Sequence, residues 1–262
     1  MNCHRVVYAF SIRSHIVRSL KMCCECFVFR GQYMRVKKIT EYFTKFELVL
    51  WCVSLFSVVV SFCIFDGSDM LSLTASVTGV TSLIFSAKGN PFGQLLMIVF
   101  SLLYGIISFN YSYYGEMITY VGMTMPMAVF ALIAWLRNPY NGSRSEVRVG
   151  RIGAAETIIM LFVSVGITIL FYFVLSAFNT ANIIPSTLSV TTSFIAVYLT
   201  FRRIPVFALA YAANDIVLII LWALASIGDS RYIAVLVCFS AFLVNDVYGF
   251  VNWQRMKKRQ NG

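Results

Sequence analysis

Two Asn-Asp pairs, Asn214-Asp215 and Asn245-Asp246, interrupt otherwise apolar sequence in the carboxy-terminal part of the chain. An ionised aspartate at the centre of a bilayer costs roughly 3 kcal/mol on insertion scales, so acids at that depth line solute pathways or pair with other groups. Helical spacing puts Tyr211, Asn214, Asp215, Leu218 and Trp222 on one face. Phe242, Asn245, Asp246, Gly249, Asn252 and Trp253 share a comparable face of the next segment. Upstream, Tyr113, Glu116, Tyr120, Met123 and Met127 form a third stripe. Carboxylates, carboxamides and aromatic rings, with no Lys or Arg at the same depth, suit a hydroxyl-bearing ring solute that is neutral or cationic. A phosphate would find no basic partner there. Asn214, Asn245 and Tyr120 are the expected hydrogen-bonding residues, and Trp222 and Tyr211 the expected stacking ones. Asp215, Asp246 and Glu116 are expected to bind hydroxyls, balance cationic charge or hold helices together. The rival reading of both pairs is hydrogen bonding between helices; for the tyrosines singly it is packing.

Membrane helices must position these groups. Of the 262 residues, 59% are hydrophobic and 12% charged, against about 25% charged in a soluble domain. Apolar runs predict eight spans, at 47–65, 68–87, 92–109, 116–136, 154–177, 186–201, 205–227 and 231–252. Backbone groups inside the hydrocarbon have no water to bond, so each span is read as a helix. Charge tests the count. With eight spans, the nine Lys/Arg before residue 47, Lys88, the four from Arg137 to Arg151, Arg202 with Arg203, and the four from Arg255 to Arg259 share one side. Only Arg231 falls on the other. By the positive-inside rule that side is the cytoplasm, and both ends lie in it. The net charge of +10 then reflects orientation and anionic headgroups. No soluble basic domain is present to bind nucleic acid.

The chain reads as a basic cytoplasmic segment (1–46), one extra helix (47–65), a first three-helix repeat (66–137), a cytoplasmic loop with a linking helix (138–185), a second three-helix repeat (186–255) and a basic tail (256–262). Weak echoes support the repeat. Ser76-Val77-Thr78 and Ser189-Val190-Thr191 mark the first span of each triplet, which then exits at Lys88 with Pro91, or at Arg202-Arg203 with Pro205. Each triplet closes on Trp-x-Arg, at Trp135–Arg137 and Trp253–Arg255. Three spans invert a triplet and one linking helix restores it, giving a 3+1+3 design with two parallel repeats and a solute site between them. The loop Arg137–Gly153, with Pro139, Asn141 and Gly142, is the longest break in the hydrophobic pattern.

Cys23-Cys24-Glu25-Cys26 lacks the paired spacing of a metal site, and no cysteine falls in a predicted outer loop, so neither metal nor disulfides are expected. Residues 1–33 hold both histidines and precede a more ordinary membrane-protein start at Met34, so they are expected to be dispensable or to come from an upstream start codon. With His4 and His15 outside the spans, a buried nucleophile–base pair is not expected. There is no Gly-x4-Gly-Lys-Ser/Thr loop for a nucleotide. No cofactor and no enzyme activity are expected.

At these residues the chain resembles the PnuC family of nicotinamide riboside transporters. The matching pieces are Ala87-Lys88-Gly89-Asn90, Tyr114-Gly115-Glu116-Met117 with Pro126-Met127, Ala213-Asn214-Asp215-Ile216-Val217-Leu218, and the stretch from Val244-Asn245-Asp246 to Asn252-Trp253. The likeness runs from about Ser68 to Trp253. It implies a seven-helix core like that of the SWEET sugar transporters, often a homotrimer, in a bacterial inner membrane. It also implies facilitated uptake of nicotinamide riboside, drawn inward by a cytoplasmic kinase. Two departures stand out. Tyr120 occupies a position where many members carry an amide, and Pro205–Tyr211 lacks the tryptophans that many place before the Asn of that span. Thiamine or another nucleoside-like solute is the alternative cargo.

Overall fold

The computed structural model describes residues 42–65, 69–180 and 182–262. The cysteine cluster at 23–26, both histidines and the segment 1–33 lie outside the described residues. The chain divides into two compact units, 1–49 and 50–262. In the first, the Thr44 amide donates to the Glu47 carboxylate (2.7 Å) and the Glu47 amide to the Thr44 hydroxyl (3.2 Å). This reciprocal cap starts a helix.

Eight helices among the described residues are long and apolar enough to cross a membrane. They are α1 (Lys45–Phe65), α2 (Met70–Ala87), α3 (Pro91–Asn110), α4 (Tyr114–Leu136), α5 (Ala154–Ala177), α6 (Ile183–Phe201), α7 (Phe207–Ser226) and α8 (Tyr232–Asn261). The chain is thus an all-α multi-pass membrane protein, with helices where the apolar runs predict them. The ends differ most at α8, which continues through the basic residues read from sequence as a tail.

Within the second unit, α2 packs on α3, α3 on α4, α4 on α6, α6 on α7, α7 on α8 and α8 back on α2. Six helices therefore close a ring. α5 packs on α6 alone among the strong neighbours and is exposed over most of its apolar surface, including Phe162 and Phe173. From Leu50 onward α1 attaches by side chains: Trp51 Nε1 donates to Thr81 (3.3 Å) and Asn245 Nδ2 to Ser54 (2.9 Å).

Small residues set how closely the ring helices approach. A Cβ on Gly105 would meet Val121 Cγ2 at 2.3 Å, so α3 lies directly against α4 there. Gly249 of α8 rests between Ala208 of α7 and Ala87 of α2, each Cβ 3.6 Å from the position its own Cβ would take. The turn from α2 to α3 follows from its residues. Gly89 (φ +67°) ends α2 in the left-handed region, the Asn90 side chain accepts from the Phe92 amide (2.9 Å), and Pro91 opens α3.

Late in α4 and in α8 two tryptophans do equivalent work. Trp135 Nε1 donates to Thr200 O at the end of α6 (2.9 Å), and Trp253 Nε1 donates to Ser86 O at the end of α2 (2.9 Å). Both rings are fully buried, with centroids 5.4 Å apart. Each acceptor lies two residues before the basic residue that follows its helix, Lys88 or Arg202. Replacing Trp253 by Phe keeps the packing and removes the donor. It is expected to lower stability by about 1 kcal/mol, read as a drop in melting temperature of the detergent-solubilised protein.

The loop after α4 is more ordered than its composition predicts. Strands β1 (Pro139–Tyr140) and β2 (Ser143–Val147) form an antiparallel hairpin closed by Asn141-Gly142, both at positive φ. That is the residue pair a tight two-residue turn demands. The Val147 amide donates to Gly89 O and the Gly150 amide to Arg203 O (both 2.9 Å), so one strand and its extension tie down the turns after α2 and after α6. Gln260 of α8 adds bonds to Glu146, Val147 and Val149, and Arg259 pairs with Glu146. Between α7 and α8, Arg231 pairs with Asp229 and holds that carboxyl below its ordinary range through hydrogen bonding.

Candidate functional site

The backbone of α4 departs from a regular helix where it meets the ring's interior. Residues Ile118–Thr124 form a π-helical turn, and the Met125 amide reaches back to Tyr120 O. Pro126 follows, with no N–H to give to the ladder. Such wide turns insert one extra residue and occur often at functional sites. Here the turn changes which residues face inward. Tyr120 and Thr124 line the cavity, and Ala128, Ala131 and Trp135 continue the buried face. The stripe predicted from a regular period, Tyr120, Met123 and Met127, is shifted by one residue beyond Tyr120.

The cavity lies inside the ring. Leu83 of α2, Phe100 of α3, Tyr120 and Thr124 of α4, Ser193 of α6, Asn214 and Asp215 of α7, and Asp246 of α8 are among its lining, so all six ring helices contribute. Its volume is about 20 Å³, room for about one water. A ring solute requires the helices to part.

Asn214 and Asp215 are consecutive and serve different neighbours. Thr192 Oγ1 (2.7 Å) and Ser193 Oγ (3.0 Å) of α6 donate to Asn214 Oδ1. That occupies one end of the carboxamide and leaves its NH2 for another acceptor. Asp215 shares the cavity lining with Asp246 of α8. Its Oδ2 is buried and has no hydrogen-bond partner, and the same holds for Thr124 Oγ1. Buried polar atoms are almost always satisfied. Two orphans on one small cavity are what a solute-binding site leaves open. Tyr211 also lines the cavity, edge-on to Phe207.

The structure thus gathers Tyr120, Tyr211, Asn214, Asp215 and Asp246, and places the other three predicted residues elsewhere. Asn245, one residue from Asp246, faces the opposite way: its NH2 donates to Ser54 of α1 and to Ala241 O (2.8 Å). Trp222 is buried among aromatic rings. Its Nε1 donates to the Tyr104 hydroxyl (2.9 Å), and Tyr113 and Tyr232 pack on it at 4.8 and 5.5 Å. Glu116 accepts from Ser189 of α6 (3.0 Å) and leaves Oε2 without a partner outside this cavity. Sequence reasoning missed Thr124, Ser193 and Phe100 as lining residues, whereas Phe242 lies, as expected, on the face it shares with Asp246. Thr124 had a signal in Pro126, which marks where a regular period cannot be trusted. Phe100 had none among the 23 phenylalanines in the chain.

Chemically, the cavity offers hydroxyls, one carboxamide and two acids, with aromatic rings around them and no Lys or Arg in its lining. Among the described residues no group of three His, Cys, Asp or Glu is arranged to hold a metal.

A family model described as the nicotinamide mononucleotide transporter matches residues 69–255. The chain is 24% identical over 223 residues to the nicotinamide riboside transporter PnuC of Neisseria mucosa, covering 84% of each. It is also 24% identical over 193 residues to the nicotinamide riboside transporter PnuC of Haemophilus influenzae, covering 73% of this chain and 82% of that one. In three dimensions it matches the crystal structure of a vitamin B3 transporter PnuC with a TM-score of 0.74 at 24% identity. That match covers 83% of this chain and 94% of the other.

Proposed function

Since the chain belongs to the nicotinamide mononucleotide transporter family, and is therefore a membrane transporter and not an enzyme, we propose that it carries nicotinamide riboside into the cell by facilitated diffusion. The observation that carries this reading is the cavity between Asn214, Asp215, Asp246, Tyr120 and Thr124, with two buried polar atoms awaiting a partner. The Asn214 NH2 and the Thr124 hydroxyl meet oxygens of the solute, Asp215 and Asp246 its hydroxyls and positive ring, and Tyr120, Tyr211 and Phe100 its faces. Asn245, Trp222 and Glu116 hold helices together around this site.

The architecture in this proposal is two parallel triplets, α2–α4 and α6–α8, joined by α5, with α1 added. The exchanged tryptophan bonds support it, as does the docking of the Gly89 carbonyl on Val147 at the end of β2 and of the Arg203 carbonyl on Gly150 just beyond it. Rocking of the triplets would open the cavity to each side in turn. The distribution of Lys and Arg supports both ends being cytoplasmic, and the bacterial relatives support a bacterial inner membrane. A homo-oligomer, specifically a trimer, is proposed from the family. Import is drawn by a cytoplasmic kinase that consumes the solute.

Proteoliposomes containing the purified protein test this. Saturable entry of labelled nicotinamide riboside is expected, insensitive to a proton uncoupler, with accumulation only when the vesicles hold the kinase and ATP. Collapse of uptake on adding the uncoupler to kinase-free vesicles would establish ion coupling instead. Entry of labelled thiamine with no entry of nicotinamide riboside would move the assignment to that cation.

A further inference from the structure

A second cavity, of about 10 Å³, lies between α2, α3 and α8. Its lining comes from the half of α2 that is farther from Lys88, so it sits on the other side of the central cavity from the bonded tryptophans and the hairpin. Phe100 is the residue that the two linings share. Three helix faces run on from one cavity to the other at one-turn spacing. On α2, Ser72 and Ser76 line the second cavity and Leu83 the central one, with Gly79 between them. On α3, Ile107 and Tyr104 lie to one side of Phe100 and Met97 to the other. On α8, Cys238 and Phe239 lead to Phe242 and Asp246. α4, α6 and α7 add nothing to the lining of the second cavity. Aromatic rings separate the two spaces. Phe100 stacks on Tyr104 of the second cavity (5.6 Å) and meets Phe242 (5.3 Å) and Tyr120 (5.9 Å) of the central one edge-on. A phenylalanine side chain breaks no hydrogen bond when it turns. Gly79 gives these rings their room, since a Cβ there would stand 2.3 Å from Phe242 Cζ and 3.0 Å from Phe100 Cδ2.

We propose that the second cavity is the outer station of the transport route: the solute enters between α2, α3 and α8 and reaches the central site by turning Phe100 aside. The inference rests on the transport reading and the orientation proposed above, and adds the path and its divider. At its present volume the second cavity holds no solute, so the helices part there as they must at the central one. A void marks where they separate at least cost, because its walls have no contacts across the gap to lose. The hydroxyls of Ser72, Ser76 and Tyr104 give those walls polar groups for a ring solute that bears hydroxyls.

Cys238 lies in the wall of the second cavity and outside the central one, and serves as the reporter. Right-side-out membrane vesicles holding the full chain receive a membrane-impermeant cationic methanethiosulfonate from outside during nicotinamide riboside uptake. The reagent forms a disulfide with an accessible thiol and expels methanesulfinate, and mass spectrometry locates the adduct. Modification of Cys238 is expected, with uptake slowed by about tenfold or more. Uptake by Cys238→Ser is expected to be the same with the reagent as without it. An unmodified Cys238 in vesicles that take up the solute, or a modified one with undiminished uptake, would overturn the proposal and leave the transporter standing. Phe100→Ala tests the divider. In inside-out vesicles the reagent is expected to reach Cys238 in this variant and not in the wild type. Equal labelling of the two from that side would overturn the role of Phe100. Should the variant not fold, labelling of the wild type from the cytoplasmic side as fast as from outside would do the same. Absence of uptake by untreated vesicles would overturn the transport assignment and this inference with it.

Discussion

Asn214→Ala is expected to weaken nicotinamide riboside binding by about 30- to 100-fold, or about 2–3 kcal/mol, while leaving the protein folded. The size follows from which end of the carboxamide is free. Thr192 and Ser193 hold Oδ1, so the NH2 is the end that remains for a solute acceptor in the cavity. Truncation deletes that donor. The fold survives because Thr192 keeps other acceptors within reach, Leu188 O and Ser189 O at 3.1 Å each. Asn245→Ala provides the contrast. Its amide serves Ser54 and its own helix, so affinity should stay within about threefold of wild type while stability falls by about 1 kcal/mol. Calorimetric affinities and thermal melts of both variants check this. Equal loss of affinity in both would place the solute against α8 and α1 instead.

Gly93→Val is expected to remove most folded protein. A Cβ on Gly93 would stand 2.6 Å from the Ser86 amide nitrogen and 2.9 Å from Ser82 O, both backbone atoms of α2. Backbone cannot turn aside as a side chain can. The two helices would have to separate, breaking the bond from Ser82 Oγ to Gly93 O (2.8 Å) and opening a wall of the ring. Overpacking at such a contact costs about 3 kcal/mol or more. The control is Gly166→Ala on α5, where nothing lies within 4 Å of the added Cβ. The yield of monodisperse protein after detergent extraction should fall several-fold for the first and hold for the second.

The membrane helices were plain in the sequence, because a bilayer demands long unbroken apolar runs and sorts positive charge to one side, and soluble folds show neither. Asp215 and Asp246 were legible because apolar surroundings make an acid conspicuous. Which neighbour each side chain turns toward was not. Asn245 and Asp246 differ by one position, about 100° around the axis. That is enough to send one to Ser54 and the other to the cavity. Trp222 shares a broad face with Asn214, yet two turns along the axis bring it to the Tyr104 hydroxyl and away from the cavity. The hairpin had its signal in Asn141-Gly142, which reads as a tight turn only when flanking residues as polar as Ser143 and Ser145 are accepted as strand.

The wide turn in α4 also sets the phase between the two halves of that helix. Residues before Ile118 are wound back relative to those after Thr124 by the arc of one residue, about 100°. Deleting a single residue from this stretch would restore an unbroken spiral and swing the leading end around. Gly115 would leave Leu175 and Thr180, Glu116 would leave Ser189, and Trp135 at the trailing end would keep its grip on Thr200. One codon lost there would dephase α4 while sparing everything beyond it.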